Sequence, residues 1–410
     1  VSLMSFPIGE HVEKVKTWNP KSSDLQNWFK YIDLSSVDKN DKNVDVSAVL
    51  NLLPSEAPSR ARQLVQRDDV LVSTVRPNLN GVAMVPDELD GATASTGYSV
   101  LRANNKTLCP NYLKFWVQSA QFISDMVRKA TGANYPAVTD KVIKESRIPL
   151  PPLETQKQIA AVLEKADQLR KDCQQMEQEL NNLAQSVFID MFGDPVNNPK
   201  GWDKVPLSTI VSDYVGGKSL VAADDDSTEY RNKVLKISAV TSGEFKSQEV
   251  KPLPNDYEPP EEHFVRKNDL LFSRANTTEL VGATTMVFDE FSGLVLPDKL
   301  WRLVWVDEEN ISSVFVWQLL TNIGMRAEIS KLASGSGGSM KNISKGKLKT
   351  LEVILPPKDV QEKYEEIYLK LRAEKLMNKS MKVLVSDGFS SLMQRAFKGE
   401  LNLNPAQQVA

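Results

Sequence analysis

Ile148-Pro149-Leu150-Pro151-Pro152-Leu153-Glu154-Thr155-Gln156 lies 205 positions ahead of Val353-Ile354-Leu355-Pro356-Pro357-Lys358-Asp359-Val360-Gln361, and this registry decides the fold. Upstream, Thr131-Gly132-Ala133 falls on Ser336-Gly337-Gly338, Val138 on Ile343 and Ile143 on Leu348 at the same offset. Downstream, Ser186 falls on Ser391 and Phe192 on Phe397. Ungapped registry over about sixty residues marks an internal repeat. Each copy reads as a glycine-containing loop, a short strand, a Pro-Pro stop and a long helix.

The repeat continues upstream with small shifts. Val65-Gln66-Arg67-Asp68-Asp69-Val70-Leu71-Val72-Ser73 matches Val265-Arg266-Lys267-Asn268-Asp269-Leu270-Leu271-Phe272-Ser273, and Leu113 to Val117 resembles Val314 to Gln318. The changing offset puts insertions in the globular parts and none in the helices, as expected of a helix used as a spacer. The expected organisation is α+β with an internal pseudo-twofold repeat: two similar globular domains, residues 1–152 and 194–357, and long helices over 153–193 and 358–398. Residues 399–410 follow as a C-terminal tail.

The composition, 25% charged and 41% hydrophobic over 410 residues, describes ordinary globular domains. No apolar run approaches the roughly 18 residues that span a bilayer, so no membrane association is expected. Cys109 and Cys173 lack partners at metal-ligand spacing, which predicts no metal site and fits a reducing cytoplasm. The net charge of −3 speaks weakly against nucleic acid. Its distribution speaks for it: Lys331, Lys341, Lys345, Lys347 and Lys349 crowd a stretch without carboxylates, and Arg128, Lys129, Lys141, Lys144 and Arg147 occupy the matching first-copy stretch beside Asp140 and Glu145.

In the first domain, Val70 to Val75, Val82 to Val85, Tyr98 to Leu101 and Ile148 to Leu150 read as strands, and Asn111 to Lys129 as a helix. The second domain repeats this with strands at Lys233 to Ile237, Leu270 to Phe272, Ala283 to Phe288 and Leu300 to Trp305, and a helix near Ile311 to Lys331. In the first long helix, Ile159, Val162, Ala166, Leu169, Cys173, Met176, Leu180, Leu183 and Val187 follow heptad spacing. Tyr364, Ile367, Leu371, Met377, Met381, Leu384 and Leu392 form a looser seam in the second. Such seams predict an antiparallel pair, and about 35 residues at 1.5 Å each give a span of roughly 50 Å.

No catalytic constellation is legible. Glu258-Pro259-Pro260-Glu261 lacks the ends of an amine-methylating loop, and Gly217-Lys218-Ser219 lacks the earlier glycine of a nucleotide-binding loop. Ser334 to Ser339 could cradle phosphate or be a flexible turn, and Pro297-Asp298-Lys299 reads as a turn.

The duplicated domain ending Ile-Pro-Leu-Pro-Pro-x-x-x-Gln resembles the specificity subunit of type I restriction–modification systems. Further support comes from Asp69 to Asn78, Met191-Phe192-Gly193-Asp194-Pro195, Asn198-Pro199-Lys200-Gly201-Trp202 and Phe397-Lys398-Gly399-Glu400-Leu401. The second half departs from the pattern, with Ser273-Arg274-Ala275-Asn276 in place of the Arg-Pro form. The resemblance implies two target-recognition domains, each reading one half of a bipartite, asymmetric double-stranded DNA target. It implies helices that act as a ruler and dock two modification subunits, with restriction/translocase subunits completing the complex. This chain would be non-catalytic and bind no cofactor: S-adenosylmethionine belongs to the modification subunit, ATP and Mg to the restriction subunit. A roughly 50 Å span covers about 15 base pairs, leaving about 5–8 unread between half-sites of about 3–5.

Base edges are read by Arg, Asn, Gln, Ser or Lys on loops held by a rigid scaffold. Arg76, Asn78 and Asn80, and Ser273, Arg274 and Asn276, occupy matching loops, although Pro77-Asn78 and Asn80-Gly81 are also turn formers. Asn134, Tyr135 and Lys141, with Lys331, Ser339, Lys341, Asn342 and Lys345, complete the DNA-binding set. The lysines are expected to position on phosphate and the asparagines to specify. Trp28, Phe29, Trp116, Trp301 and Trp317 fit core packing better than base stacking. Met191, Phe192, Leu392 and Phe397, near the helix ends, are the candidates for subunit docking, with the charged outer helix face of Glu164, Lys165, Lys171, Glu177 and Glu179. Two other readings compete: an antiparallel coiled-coil scaffold with two protein- or peptide-binding domains, and a self-contained modification enzyme.

Overall fold

The computed structural model describes residues 3–22, 27–218, 230–335 and 340–403. The chain divides into two compact units, Val1–Met176 with Asn378–Ala410, and Glu177–Met377, so the division falls within both long helices.

In the first unit, the β-branched run Val70–Ser73 is buried on both faces. It lies inside an antiparallel sheet ordered Val12–Glu13, Tyr98–Ala103, Val70–Ser73, Val82–Met84. A second four-stranded sheet runs Leu50–Leu52, Phe29–Ile32, Thr93–Ser95, Ala61–Leu64. The expected helix over Asn111 to Lys129 is two helices, α1 (Pro110–Gln118) and α2 (Ala120–Lys129). Ser119 takes extended dihedrals and its hydroxyl accepts from Phe122 N, so a new N-cap ends one helix and starts the next. A short helix α3 (Asp140–Glu145) precedes strand Arg147–Pro149, which pairs with Ser5–Pro7. Beyond the Pro-Pro stop, α4 runs over Leu153–Phe192.

The second unit repeats the plan. Its main sheet is ordered Val211–Gly216, Leu300–Trp305, Leu270–Ser273, Thr284–Met286, and Lys204–Pro206 pairs with Glu352–Ile354. Here too the single expected helix is two, α5 (Ser313–Thr321) and α6 (Ile323–Lys331), divided where Asn322 Oδ1 accepts from Gly324 N and Met325 N. Helix α7 (Lys345–Lys349) and the long α8 (Lys358–Lys398) complete the order.

Each repeat locks its Pro-Pro junction with the matched glutamine. Gln156 Oε1 accepts from Cys109 N at 2.9 Å, capping α1, while its Nε2 donates to Pro151 O at 2.9 Å and Thr107 O at 3.0 Å. Gln361 Oε1 accepts from Ser312 N at 3.1 Å at the head of α5, and its Nε2 donates to Pro356 O at 2.8 Å. The strand entry is duplicated as well. Asp68 and Asn268 take left-handed dihedrals, which Asp and Asn tolerate, and Asp69 and Asp269 accept from Gln66 N and Arg266 N, both at 2.8 Å. Arg102 then grips Asp69 with Nε at 2.8 Å and Nη2 at 2.7 Å; the second copy pairs Arg302 with Asp269 at 3.5 Å.

Within the first unit, Ile159, Ala160 and Leu163 near the start of α4 share a core with Met393, Ala396 and Phe397 near the end of α8. Within the second, Ala184, Phe188 and Phe192 of α4 pack with Tyr364 and Tyr368 of α8. The two helices are antiparallel in both.

The buried faces follow the expected seams in part: Ile159, Cys173 and Tyr364 are buried, but other seam positions are not. Leu169, Met176 and Leu183 on α4, and Met377, Met381 and Leu384 on α8, are exposed, Leu384 by 72%. Each helix turns toward the partner helix and the globular core by presenting Gln156, Leu163, Asp167 and Phe188, or Gln361, Tyr364, Asn378 and Ala396. Asp167, which sits on the buried face, is neutralised by Arg170 at 2.9 Å and Lys171 at 3.1 Å. Polar residues that satisfy one another occupy seam positions, so a purely apolar pattern misplaces the face.

The docking assignment of Phe192 and Phe397 is corrected. Phe192 is 0% exposed and packs 4.7 Å from Phe315 and 5.3 Å from Tyr364, ring centre to ring centre. Phe397 is 6% exposed, 5.0 Å from Trp116 and 5.2 Å from Tyr112. They anchor the helix ends in the globular cores, and their neighbours Met191 and Leu392 are half-buried against the same clusters. Trp28, expected in the core, is exposed.

Candidate nucleic-acid interface

The loop that follows the buried strand and the loop that precedes the Pro-Pro strand are joined by backbone hydrogen bonds in both units. In the first, Arg76 N donates to Pro136 O at 2.7 Å, Val138 N to Thr74 O at 2.9 Å, and Thr131 and Ala137 exchange two bonds of 2.9 Å. In the second, Ile343 N donates to Arg274 O at 2.9 Å, Ser334 and Asn342 exchange bonds of 2.8 and 3.0 Å, and Ala275–Asn276 pairs with Lys341–Asn342. Loops that are distant in sequence, Thr74 and Val138 or Arg274 and Ile343, are thus tied into one backbone frame, and the candidates from two separate loops lie together in each unit.

Arg76 takes left-handed dihedrals (φ 50°, ψ 63°) before Pro77, and its guanidinium lies 4.9 Å from the ring centre of Tyr135. Asn78 and Asn134 are exposed beside them. Asn80 is a turn residue: φ is 48°, Nδ2 faces Gln118 O at 3.5 Å, and Oδ1 is buried. Lys141 stands on α3, exposed, 3.7 Å from Glu145. A cavity of about 230 Å³ opens at the Arg76–Tyr135 pair and is lined also by Leu34, Val37, Lys39 and Leu79.

In the second unit, Ser273 is fully buried, and its hydroxyl accepts only a long bond of 3.5 Å from Asn276 Nδ2, so its assignment to DNA is corrected. The misassignment came from reading the loop as starting one residue earlier than it does. Arg274 Nε donates to Asp298 O at 2.7 Å and the guanidinium sits over Trp301. Asn276 Oδ1 accepts from Thr277 N at 2.8 Å. Lys331 is paired with Glu328 at 2.7 Å, Lys341 Nζ donates to Gly335 O at 2.8 Å, and Asn342 is partly exposed. Lys345 is paired with Asp213 at 3.0 Å; the Tyr214 backbone N–H and then Lys345 hold the Asp213 carboxyl below the usual carboxylate range. Ser339 lies outside the described residues.

Two lysines escaped the sequence reading. Lys39 lines the cavity, and Lys42, left-handed at φ 56°, donates Nζ to Asn80 O at 2.7 Å. Burial, and then the charge of Arg170, lowers the Lys42 ammonium from its ordinary range. Only a run of polar residues marks this hairpin in the sequence, so their approach to Asn80 depends on tertiary packing.

Among the described residues there is no group of His, Cys, Asp and Glu placed to hold a metal ion, and no helix long and apolar enough to cross a membrane. The duplicated α+β unit brings together, in each copy, two loops that carry polar and basic side chains: Arg76, Asn78, Asn134 and Tyr135 in one, Arg274, Asn276, Lys341 and Asn342 in the other. Residues 8–182 match the family described as type I restriction modification DNA specificity domain. The chain is 32% identical over 169 residues to the type I restriction enzyme EcoEI specificity subunit of Escherichia coli, covering 41% of this chain and 28% of that one. It is 27% identical over 247 residues to the MjaVIII specificity subunit of Methanocaldococcus jannaschii, covering 58% and 57%. The chain thus spans between about a quarter and three fifths of the length of these curated relatives. A chain from a structure of complex assembly and conformational transition of the type I R-M system shares the fold, with a TM-score of 0.61, 22% identity and 98% coverage of both chains. Residues 8–182 thus resemble a type I DNA specificity domain, and the chain is similar in sequence to specificity subunits of type I restriction enzymes.

Proposed function

We propose that this chain is the non-catalytic, sequence-reading subunit of a type I restriction–modification complex. Each unit reads one half of a bipartite, asymmetric double-stranded DNA target through its paired loops. The observation that carries this reading is the duplicated loop pair itself, Val138 N to Thr74 O in one unit and Ile343 N to Arg274 O in the other. Two copies of one backbone frame that carry different side chains suit two different half-sites.

The long helices act as the spacer between the two recognition domains, residues 1–152 and 194–357. At 1.5 Å per residue, 40 and 41 residues correspond to about 60 Å each, or about 18 base pairs, somewhat more than the sequence suggested. That length accommodates two half-sites with an unread gap.

Two modification subunits dock on the outer faces of the helices, where Leu169 and Met176, and Met381 and Leu384, leave apolar surface in water. Those subunits supply S-adenosylmethionine, and restriction/translocase subunits supply ATP and Mg; this chain binds no cofactor. Work in the cytoplasm, on chromosomal DNA, follows from the role.

The test is methylome sequencing of cells that express the chain with its modification subunit, against cells that lack the chain. Loss of one asymmetric bipartite N6-methyladenine motif is expected. An unchanged methylome with an active partner would instead favour a coiled-coil scaffold with two protein-binding domains.

A further inference from the structure

The loop after the buried strand carries one arginine in each unit, at unmatched positions: with Ser73 on Ser273, Arg274 falls on Thr74 and Arg76 on Asn276. Arg274 Nε is committed to Asp298 O at 2.7 Å, with Nη2 3.9 Å from Asp298 Oδ2. Arg76 is exposed, and its guanidinium has no hydrogen-bond acceptor and no carboxylate partner among the described residues. Its position is nonetheless tightly held. The backbone is left-handed ahead of a proline, a conformation that L residues avoid and that proline further disfavours. The bond from Arg76 N to Pro136 O at 2.7 Å and the turn closed by Leu79 N to Arg76 O at 2.9 Å maintain it.

Tyr135 is fixed with equal care. It is 69% exposed at the tip of a loop whose base is closed by the two bonds between Thr131 and Ala137. Gly132, with φ 101°, lets that loop turn; a Cβ there would lie 2.9 Å from Tyr135 O. The ring therefore forms a platform on which the guanidinium lies, 4.9 Å from its centre. Backbone strain retained at an exposed polar residue points to function at that residue.

Resting on the reading of this surface as a DNA interface, we infer that Arg76, stacked on Tyr135, is a specificity-determining residue that reads a guanine in the half-site of the first unit. A guanidinium held over an aromatic ring, here 4.9 Å from its centre, without a hydrogen-bond acceptor keeps its donors free and loses little freedom on binding. The O6 and N7 acceptors of guanine in the major groove match that edge in a bidentate pair. Phosphate demands no such preorganisation, and Lys39, in the same cavity, and Lys141 are available for it. In the second unit the position that matches Arg76 is Asn276, whose Oδ1 accepts from Thr277 N at 2.8 Å, so the arginine contact made from this position belongs to the first half-site.

The test uses the full chain co-purified with its modification subunits to select from randomised DNA duplexes longer than the expected target. Wild type should enrich a bipartite motif with a guanine in one half-site. Arg76→Gln should flatten that column, lowering the preference for guanine by about 5- to 150-fold, and leave the other half-site unchanged; Arg76→Lys, which keeps donors without the planar fork, should weaken it less. Tyr135→Ala should weaken the same column and no other. If Arg76→Gln keeps the guanine preference, or weakens every sequence equally, Arg76 does not read that base and the inference is overturned while the bipartite reading stands. Wild-type protein that enriches no bipartite motif would remove the reading itself. Unchanged thermal melting of the variants separates either result from misfolding.

Discussion

Asn378 Nδ2 donates a hydrogen bond of 2.9 Å to the backbone carbonyl of Cys173, and the two residues are repeat equivalents, 205 positions apart. Both residues lie in the first unit, and there the two antiparallel helices meet at repeat-equivalent positions. Asn378 Oδ1 is buried there without a partner among the described residues. A single polar seam residue that satisfies only part of its capacity specifies register at some cost in stability.

Asn378→Leu should therefore hold stability level or raise it by about 1 kcal/mol, while the pairing of the helices becomes less exact. Urea denaturation gives the first quantity and the gap length of the methylated motif the second. A loss of more than about 2 kcal/mol would show that the bond is a net stabiliser rather than a register device.

Gln156 and Gln361 each bridge a helix N-terminus to a Pro-Pro carbonyl from a buried position. Alanine at either site strands buried backbone groups and should destabilise its unit by about 2–3 kcal/mol. The effect should be larger at Gln156, which also bonds Thr107 O. Amide hydrogen exchange at Cys109 and Ser312 checks it residue by residue; unchanged protection in both variants would falsify the bridging role.

Phe397→Ala and Phe192→Ala should each cost about 3–5 kcal/mol in the isolated chain, because both rings fill globular cores. A docking residue would instead leave the free chain intact and weaken only assembly with a partner. Chemical denaturation of the chain alone separates these outcomes.

Burial raises the Asp269 carboxyl from its ordinary value of 3.8, and the opposing Arg266 N–H and Arg302 do not fully offset it. The folded state then holds this proton more tightly than the unfolded state. Its contribution is most favourable in acid and falls as pH rises from 3.8 through the raised value. Asp269→Asn should remove that falling component from the stability–pH curve. Identical slopes in variant and wild type across the window would refute the assignment.

Lys141→Ala should reduce the slope of log K against log salt by about one and weaken all sequences alike, as a phosphate contact does. Lys331→Ala should change it less, since that ammonium is already paired with Glu328 at 2.7 Å. Binding titrations at several salt concentrations decide between them.

The repeat, the Pro-Pro junctions, the two long helices and the strands at Val70 and Leu270 were all legible in the sequence. They rest on local chemistry: proline stops, β-branched runs, and registry that survives because each copy folds under the same constraints. The sequence also located the loops that carry Arg76, Tyr135, Arg274 and Asn342. Only the tertiary structure decided which helix faces are buried. Leu169, Met176 and Leu384 look like seam residues by spacing, yet Asp167, Asn378 and the glutamines hold the inner positions because their partners lie far along the chain. The same holds for Ser273, which closes into the core, and for Phe192 and Phe397, whose rings meet cores that sequence distance hides. Whether a side chain faces water or a neighbour depends on contacts between segments, and no local pattern contains them.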